Sequence, residues 1–558
     1  MKILITDKPI KWSKGKFDQI YIFNNRNKYP SKKIFSILNL LESEKVLTKN
    51  ELNNITNAYL KSILKNNRKI FKNHEEVILY SLFSDKNIFI DSFYFKYYQF
   101  IIFDRLFKKT KFNKNITFDV QDKTLNYFLK DCFFSNKLSR LLHNLKSFVK
   151  GVRFHALNNL IIFKKKTSMI NFDNLFVDDY NSFDDNLNSS KIWHKIIQKF
   201  QFDSYIQLAV NSSSLKQNKK VFKEYLKLDD YKNIFIFLKT LGSYFKIYFK
   251  LIFLFKNYNN KNNQLKFLYL YLKYNYQHSN LVKSINDYYL FEYFFAINKF
   301  KRIFIISENQ SWEKILIYHS NSLNITNNII SYVHTPIRYW DLRYDSNLFT
   351  HFKKFHFPKY ICVSTVQCIR NYNKIIKQIK IRPVEAIRYL YLKNHLVKKI
   401  KLNSYNKSYV VVGDINPNST SNLLSLLNIF AKKRQLKLNI LVKFHPLNIL
   451  PVQKYNFLNI KSYSEKNINQ NIYLFPNYTT ASIDFNYQNK ICLSFIDKNN
   501  FNLSPLLIFK KYYLFFDDVD TFENILNFCT SNEVNEKYKF YFANNFFNWK
   551  KLINETQL

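Results

Sequence analysis

Two sets of residues with acid–base and anion-binding chemistry stand directly after short apolar runs. Residues 303–306 are followed by Ser307-Glu308-Asn309-Gln310, and residues 329–333 by His334-Thr335. Glu308 has the chemistry of a general base that draws a proton from an attacking hydroxyl; His334 can do the same or bind substrate. Further on, Arg338 and Arg343 suit bidentate clamping of a phosphate or carboxylate. Asp341 can orient one of them, and Asn309 is a substrate-binding candidate beside Glu308. The plainer reading of Glu308 is a helix N-terminal carboxylate next to Trp312.

The second set points to phosphate binding. Lys443-Phe444-His445-Pro446 follows the apolar run 439–442. A helix after such a strand directs its N-terminal amides and positive dipole end at a ligand. His445 can hydrogen-bond a phosphate there, Lys443 adds charge, and Pro446 suits a first helical turn. Tyr478-Thr479-Thr480-Ala481-Ser482 follows the run 472–475, and the hydroxyls of Thr479, Thr480 and Ser482 can cap a helix or donate to phosphate oxygens. Gly413-Asp414 follows the run 409–412, and Gly413 is one of only four glycines. A glycine at such a turn permits positive φ or a close ligand approach. Plainer readings remain for each: a histidine ending a strand, hydroxyls that only cap. Neither G-x-G-x-x-G nor a Walker pattern occurs, which argues against dinucleotide and P-loop chemistry. Asp518-Val519-Asp520 has a D-x-D form, but Asp520 with Glu523 reads as a capping box opening a helix, so no metal site is expected.

The elements that must position these residues follow from periodicity. Apolar runs recur every 20–35 residues from about residue 300 onward, with helical spacing between them. That alternation predicts βαβ units and parallel sheets, with both polar sets at carboxyl ends of strands, where open α/β sheets bind ligands. Eight of the ten prolines lie between Pro336 and Pro505, at loop positions. The predicted fold class is α/β, with two Rossmann-like domains facing a cleft. An N-terminal domain is expected over 1–400 and a C-terminal domain, carrying the phosphate-binding set, over 401–558. Residues 2–6 and 19–23 read as strands and 77–82 as another. Residues of about 115–290 read as a mostly helical insertion, with an acidic loop at 178–185 between two of its helices.

Composition sets the bounds. The chain has 558 residues, is 47% hydrophobic and 18% aromatic, and carries a formal net charge of +46. It has enough apolar content for packed cores, and its charge favours polyanions: nucleic acid, anionic lipid or phosphorylated substrates. No RRM, KH, zinc-finger or helix-turn-helix signal occurs, so specific nucleic-acid binding is not expected. The five cysteines show no C-x-x-C spacing, and the start shows no secretory pattern, so a cytoplasmic location is expected. Residues 234–255 read as a basic amphipathic helix. Its Lys239, Lys246 and Lys250 fall within about 40° of one another, which suggests peripheral contact with an anionic membrane.

Six blocks carry a family resemblance: ENQSWEK (308–314), HTPIRYWDLRY (334–344), VEAIRYLYL (384–392), KFHP (443–446), TTASID (479–484) and NLSPL (502–506). In this order they resemble the bacterial surface carbohydrate biosynthesis proteins, glycosyltransferase-like chains linked to O-antigen and capsule assembly. The resemblance covers roughly 280–510 and implies a GT-B-type fold. The His-Pro pair and the Thr/Ser-rich turn are also similar to motifs of bacterial sialyltransferases, polysialyltransferases and capsule-polymer transferases, which hold the donor's nucleotide phosphate. Carried over, this assigns His445, Pro446, Thr479, Thr480 and Ser482 to donor binding. Three departures stand out: Val333 where the family usually has Gln, Phe444 where it usually has Pro, and no acidic pair followed by Gly. The expectation is a metal-independent glycosyltransferase without a cofactor. It would use a nucleotide sugar, CMP-linked donors included, and a glycan or lipid-linked acceptor. A nucleotide-sugar epimerase of similar form, or a non-catalytic basic membrane- or nucleic-acid-binding protein, are the alternatives.

Overall fold

The computed structural model describes residues 148–156, 170–179, 183–184, 189–210, 225–257, 279–335, 357–393, 408–496 and 504–557. Gaps fall at 309, 327, 373–378, 415–416, 446–454, 465–471, 477–478, 510 and 532–537, and before residue 148 only 3–6, 19–22, 34–36, 75, 77–78 and 116–119 are described.

Two large parallel sheets organise the described residues. The first has seven strands: Asn174–Asp179, Tyr205–Val210, Tyr225–Lys227, Arg302–Ile306, Ile329–Val333, Tyr360–Val363 and Lys380–Pro383. Counted along the chain, they lie in the order 3-2-1-4-5-6-7, every pair parallel. The second has six: Ser408–Val412, Leu438–Lys443, Leu458–Ser462, Ile472–Pro476, Ile491–Phe495 and Phe515–Phe516, in the order 3-2-1-4-5-6. Both orders are doubly wound, so the expected α/β class with two Rossmann-like units holds. Each sheet reverses direction once, at the neighbours Asn174–Asp179 and Arg302–Ile306 in one and Ser408–Val412 and Ile472–Pro476 in the other. A crevice opens at such a switch point because the loops leave on opposite faces.

The strands are apolar on both sides because helices cover both faces. Arg302–Ile306, Ile329–Val333 and Tyr360–Val363 are buried along their whole length. In the first core Phe176 stacks on Phe304 at 4.5 Å, and beside them Trp549 meets Trp193 and Tyr332 edge-on.

Residues 115–290, expected to be mostly helical, supply the first three strands of the seven-stranded sheet. A short apolar run such as Leu175-Phe176-Val177 has no period that separates a strand from a buried helix turn. Pairing with Arg302–Ile306, over a hundred residues later, decides it. The presumed acidic loop begins inside the Asn174–Asp179 strand. Before residue 148, Ile3–Thr6, Gln19–Ile22, Ile34–Ser36 and Ile116–Asp119 form a separate four-stranded parallel sheet. Val77 and Ile78, read as the start of a strand, are helical.

The end of the chain crosses back. Tyr538 is bound in the second unit, donating its N–H to Asn486 Oδ1 and its hydroxyl to the Pro505 carbonyl. Residues 539–541 then run along 364–366 of the first unit, and the helix Phe547–Glu555 closes over the first core. Glu385, buried in the connection between the units, accepts the N–H groups of Asn548 (2.9 Å) and Trp549 (3.1 Å) and the Asn548 amide (2.9 Å). These amides open a helix and have no intrahelical acceptor, so a carboxylate there is favoured twice, by hydrogen bonds and by the dipole. Residues 544–556 therefore pack with the first sheet although they follow the second.

Candidate functional site

At the carboxyl edge of the first sheet, the adjacent strands Arg302–Ile306 and Ile329–Val333 end in Ser307-Glu308 and His334. His334 Nε2 lies 3.3 Å from Glu308 Oε1, with the histidine side chain 4% exposed and the glutamate 22%. Gln310 donates its side-chain amide to the other Glu308 oxygen at 3.2 Å. The carboxylate at the start of the Ser311–Ser322 helix is Glu313, not Glu308: Glu313 Oε1 accepts the N–H of Glu308 at 2.9 Å and of Gln310 at 2.8 Å. Burial pushes the Glu313 carboxyl up to about 7, against the two amide hydrogen bonds that lower it. Glu308 is thus relieved of the capping task that was its plainer reading, and its carboxylate faces a histidine instead.

One element of this edge escaped the sequence. Asp178 and Asp179 end the strand next to Arg302–Ile306, on the other side of the switch point. Asp178 is buried and accepts the Ser190 hydroxyl, while Ser190 Oγ accepts the N–H groups of Ile192 and Trp193 at the start of the Trp193–Phe200 helix. The signal was present as an acidic pair after an apolar run, masked by the helical reading around it. Asn309, Arg338, Asp341 and Arg343 lie outside the described residues.

At the carboxyl edge of the second sheet three turns converge. Gly413 donates its N–H to the Lys443 carbonyl at 2.8 Å. A Cβ added at Gly413 would sit 3.2 Å from the backbone nitrogen of His445 and 3.4 Å from Lys443 O. The glycine is needed for close approach of the 443–445 turn, and that approach brings His445 to the switch point. Lys443 is exposed, and its charge acts on Asp484 together with that of Arg388.

On the other side of the switch point, Thr479 N–H bonds the Pro476 carbonyl at 3.2 Å, and the Ser482 hydroxyl bonds the Thr479 carbonyl at 2.9 Å. Ser482 is fully buried, so its hydroxyl shapes the turn rather than standing open to a phosphate. Thr479 Oγ1 is buried and has no hydrogen-bond partner among the described protein groups, which marks it as a donor seeking an acceptor. Thr480 is half-buried beside it. Pro446 lies outside the described residues.

The connection between the units touches both edges. The Tyr332 hydroxyl, two residues before His334, accepts the Ile387 N–H at 3.1 Å. Four residues further on, Tyr391 stands near Asp484, where the 387–392 turn meets the short helix after Thr479, and burial raises the Asp484 carboxyl above its ordinary range. The VEAIRYLYL block is therefore a strap from the Glu308–His334 edge to the Thr479 edge. Among the described residues no group of three or more His, Cys, Asp or Glu is placed to hold a metal ion. Asp518 accepts the Thr521 N–H at 2.8 Å and caps the Val519–Ser531 helix, while Asp520 pairs with Lys433 at 2.8 Å, so the cap is Asp518 and not the expected Asp520.

No protein-family description matches the chain, and no curated protein is similar to it. Among solved structures, the chain is similar to the UDP-GlcNAc 2-epimerase of Methanocaldococcus jannaschii, in complex with UDP-GlcNAc and UDP, at TM-score 0.35 and 10% identity, over 70% of this chain and 100% of that one. It is also similar to a trehalose-6-phosphate synthase studied for glycosyl transfer with retention, at TM-score 0.32 and 8% identity, over 69% and 96%. TM-scores below 0.5 do not by themselves establish a shared fold, and the architecture stands on its strand orders.

Proposed function

We propose that the chain is a metal-independent glycosyltransferase of GT-B type, acting in O-antigen or capsule assembly. It would move a sugar from a nucleotide-sugar donor to a glycan or lipid-linked acceptor. The observation that carries this reading is the His334–Glu308 pair, 3.3 Å apart at the carboxyl edge of one doubly wound sheet, while a second such sheet offers anion-binding groups at its own switch point. The link to surface polysaccharide rests on the sequence blocks alone.

The chemistry follows from the groups. The nucleotide sugar lies along the second edge, its phosphate near His445, Lys443 and the Thr479 hydroxyl, with Gly413 holding the 443–445 turn in place. The acceptor hydroxyl lies at the first edge. Its oxygen attacks the anomeric carbon, the bond from that carbon to the phosphate oxygen breaks, and the electron pair leaves with the nucleotide. The hydroxyl proton passes to Glu308. Glu308 takes the base role because it is the more exposed partner; His334, buried behind it, orients the carboxylate. Charge leaving with the phosphate meets Lys443 and His445, groups that need no metal.

The test is a thermal-shift screen with UDP-, GDP-, dTDP- and CMP-linked sugars in excess EDTA, followed by product analysis with and without a glycan acceptor. One class of nucleotide sugar should raise the unfolding temperature, since stabilisation follows affinity. Sugar should then reach the acceptor with EDTA present. An isomerised nucleotide sugar formed without acceptor would replace this reading by an epimerase, and no shift with any nucleotide would end it.

A further inference from the structure

The helix Ile234–Asn257 exposes both lysine and apolar side chains. Three of its four lysines are paired: Lys239 with Glu292 at 3.7 Å, Lys246 with Glu75 at 3.3 Å, and Lys250 with Glu75 at 2.6 Å. Ile236, Tyr244, Ile247 and Tyr248 are buried against the rest of the molecule. Beside these lysines an apolar row is also open: Phe235 is 74% exposed, Leu238 55%, Phe245 37% and Phe249 59%. Spacings of three, seven and four residues put these four on one face, a stripe of about 21 Å. Phe148 extends it sideways, its ring 4.8 Å from Phe245 and 6.1 Å from Phe249, with Val149 exposed beside it.

We propose that this stripe docks the protein on the surface of an anionic lipid bilayer. Charge at its borders selects that occupant. Lys239 and Lys246 remain 61% and 46% exposed on one side, and Lys150 and Arg153 are exposed on the other. Glu75, the nearest carboxylate to Lys246, is 1% exposed and already held by two lysines. Aromatic rings can enter the headgroup–acyl boundary while the lysine stems reach up to the phosphates. A second copy of this chain set face to face would bring the same cationic borders together. Among the described residues no helix is long and apolar enough to cross a membrane, so the helix lies on the surface. The inference does not depend on the sugar chemistry.

Co-sedimentation of the full chain with vesicles tests it, using phosphatidylcholine alone and phosphatidylcholine with about a third phosphatidylglycerol, where surface charge attracts basic segments. The protein should bind the anionic vesicles and bind the neutral ones weakly. The double variant Phe235→Ser/Phe249→Ser, altered only at exposed positions, should lose about tenfold or more in partitioning while melting like the parent. Lys150→Ala/Lys239→Ala should weaken binding several-fold on anionic vesicles only. Unchanged partitioning of the serine variant, or equal binding to neutral vesicles, overturns the proposal. So does a dimer in sedimentation velocity that the serine variant dissolves while vesicles bind neither protein.

Discussion

The two sheets share the order 3-2-1-4-5-6, with a seventh strand added in the first, and differ in what stands at their edges. The first ends in a carboxylate and an imidazole in contact, Glu308 and His334, set in a wall of buried residues. The second ends in cationic and hydrogen-bonding groups: an exposed lysine, a half-buried histidine, a buried threonine hydroxyl with no partner among the described residues, and a glycine that lets the 443–445 turn approach. One edge is suited to moving a proton and the other to holding a phosphate. A doubly wound sheet specifies where ligands go; the residues at its strand ends specify what happens there.

The comparison breaks most visibly at Glu308. Glu308→Gln should lower turnover by about 10²–10⁴-fold, the usual worth of a positioned general base, with donor affinity unchanged. Single-turnover rates beside nucleotide titrations check this; loss of both together would dissolve the division between edges.

Glu385→Ala attacks what joins the two. It strips three N–H groups at the start of the Phe547–Glu555 helix of their acceptor. Each unsatisfied donor costs about 1–3 kcal/mol when buried, offset by whatever water enters, so denaturant unfolding should shift by about 3 kcal/mol. A variant as stable as the parent would mean that the helix is held by Trp549 packing alone.

A pH titration sharpens the first edge. Burial holds the Glu313 carboxyl at about 7 in the folded chain against an ordinary 4.5. The folded state therefore keeps a proton that the unfolded state releases. Stability is fullest below about 4.5 and falls as pH rises toward 7, by on the order of 3 kcal/mol, then levels off. Glu313→Gln should flatten that slope in melts across pH 4.5 to 8, and a slope that survives would move the titration to another group.

Two substitutions probe the second edge. Gly413→Ala puts a methyl group 3.2 Å from the His445 nitrogen, and the 443–445 turn must give way. About 1–3 kcal/mol of stability should be lost, together with nucleotide affinity. His445→Ala should weaken nucleotide binding by about tenfold, the worth of one hydrogen bond to a charged group, and leave the melting of the free protein unchanged. Equal loss of folding would return His445 to the role of ending a strand.

Much of the fold was legible because its strands are short, apolar and evenly spaced after residue 300. The runs at 303–306, 329–333, 360–363, 409–412, 472–475 and 491–495 lie within one residue of the strands in the structure. The strand Leu458–Ser462 was not legible: LNIKS has only two apolar residues, and it sits at the sheet edge with three of its residues open to solvent. The strands at 174–179 and 205–210 failed for the opposite reason, since burial on both faces erased the alternation that marks a strand.

By itself the sequence determined the fold class and which residues stand at strand ends, because both depend on local pattern: apolar runs, turn residues and their spacing. Tertiary structure alone decided which ends become neighbours. It placed Glu308 against His334, gave the capping task to Glu313, brought Asp178 to the first switch point and set Gly413 against His445. It also set Lys239, Lys246 and Lys250 of the Ile234–Asn257 helix beside Glu292 and Glu75 and left Phe235, Phe245 and Phe249 exposed. The reason is common to all of these. A side chain's task depends on partners that lie tens to hundreds of residues away in the chain, and only the packing of whole elements brings such partners within hydrogen-bond reach.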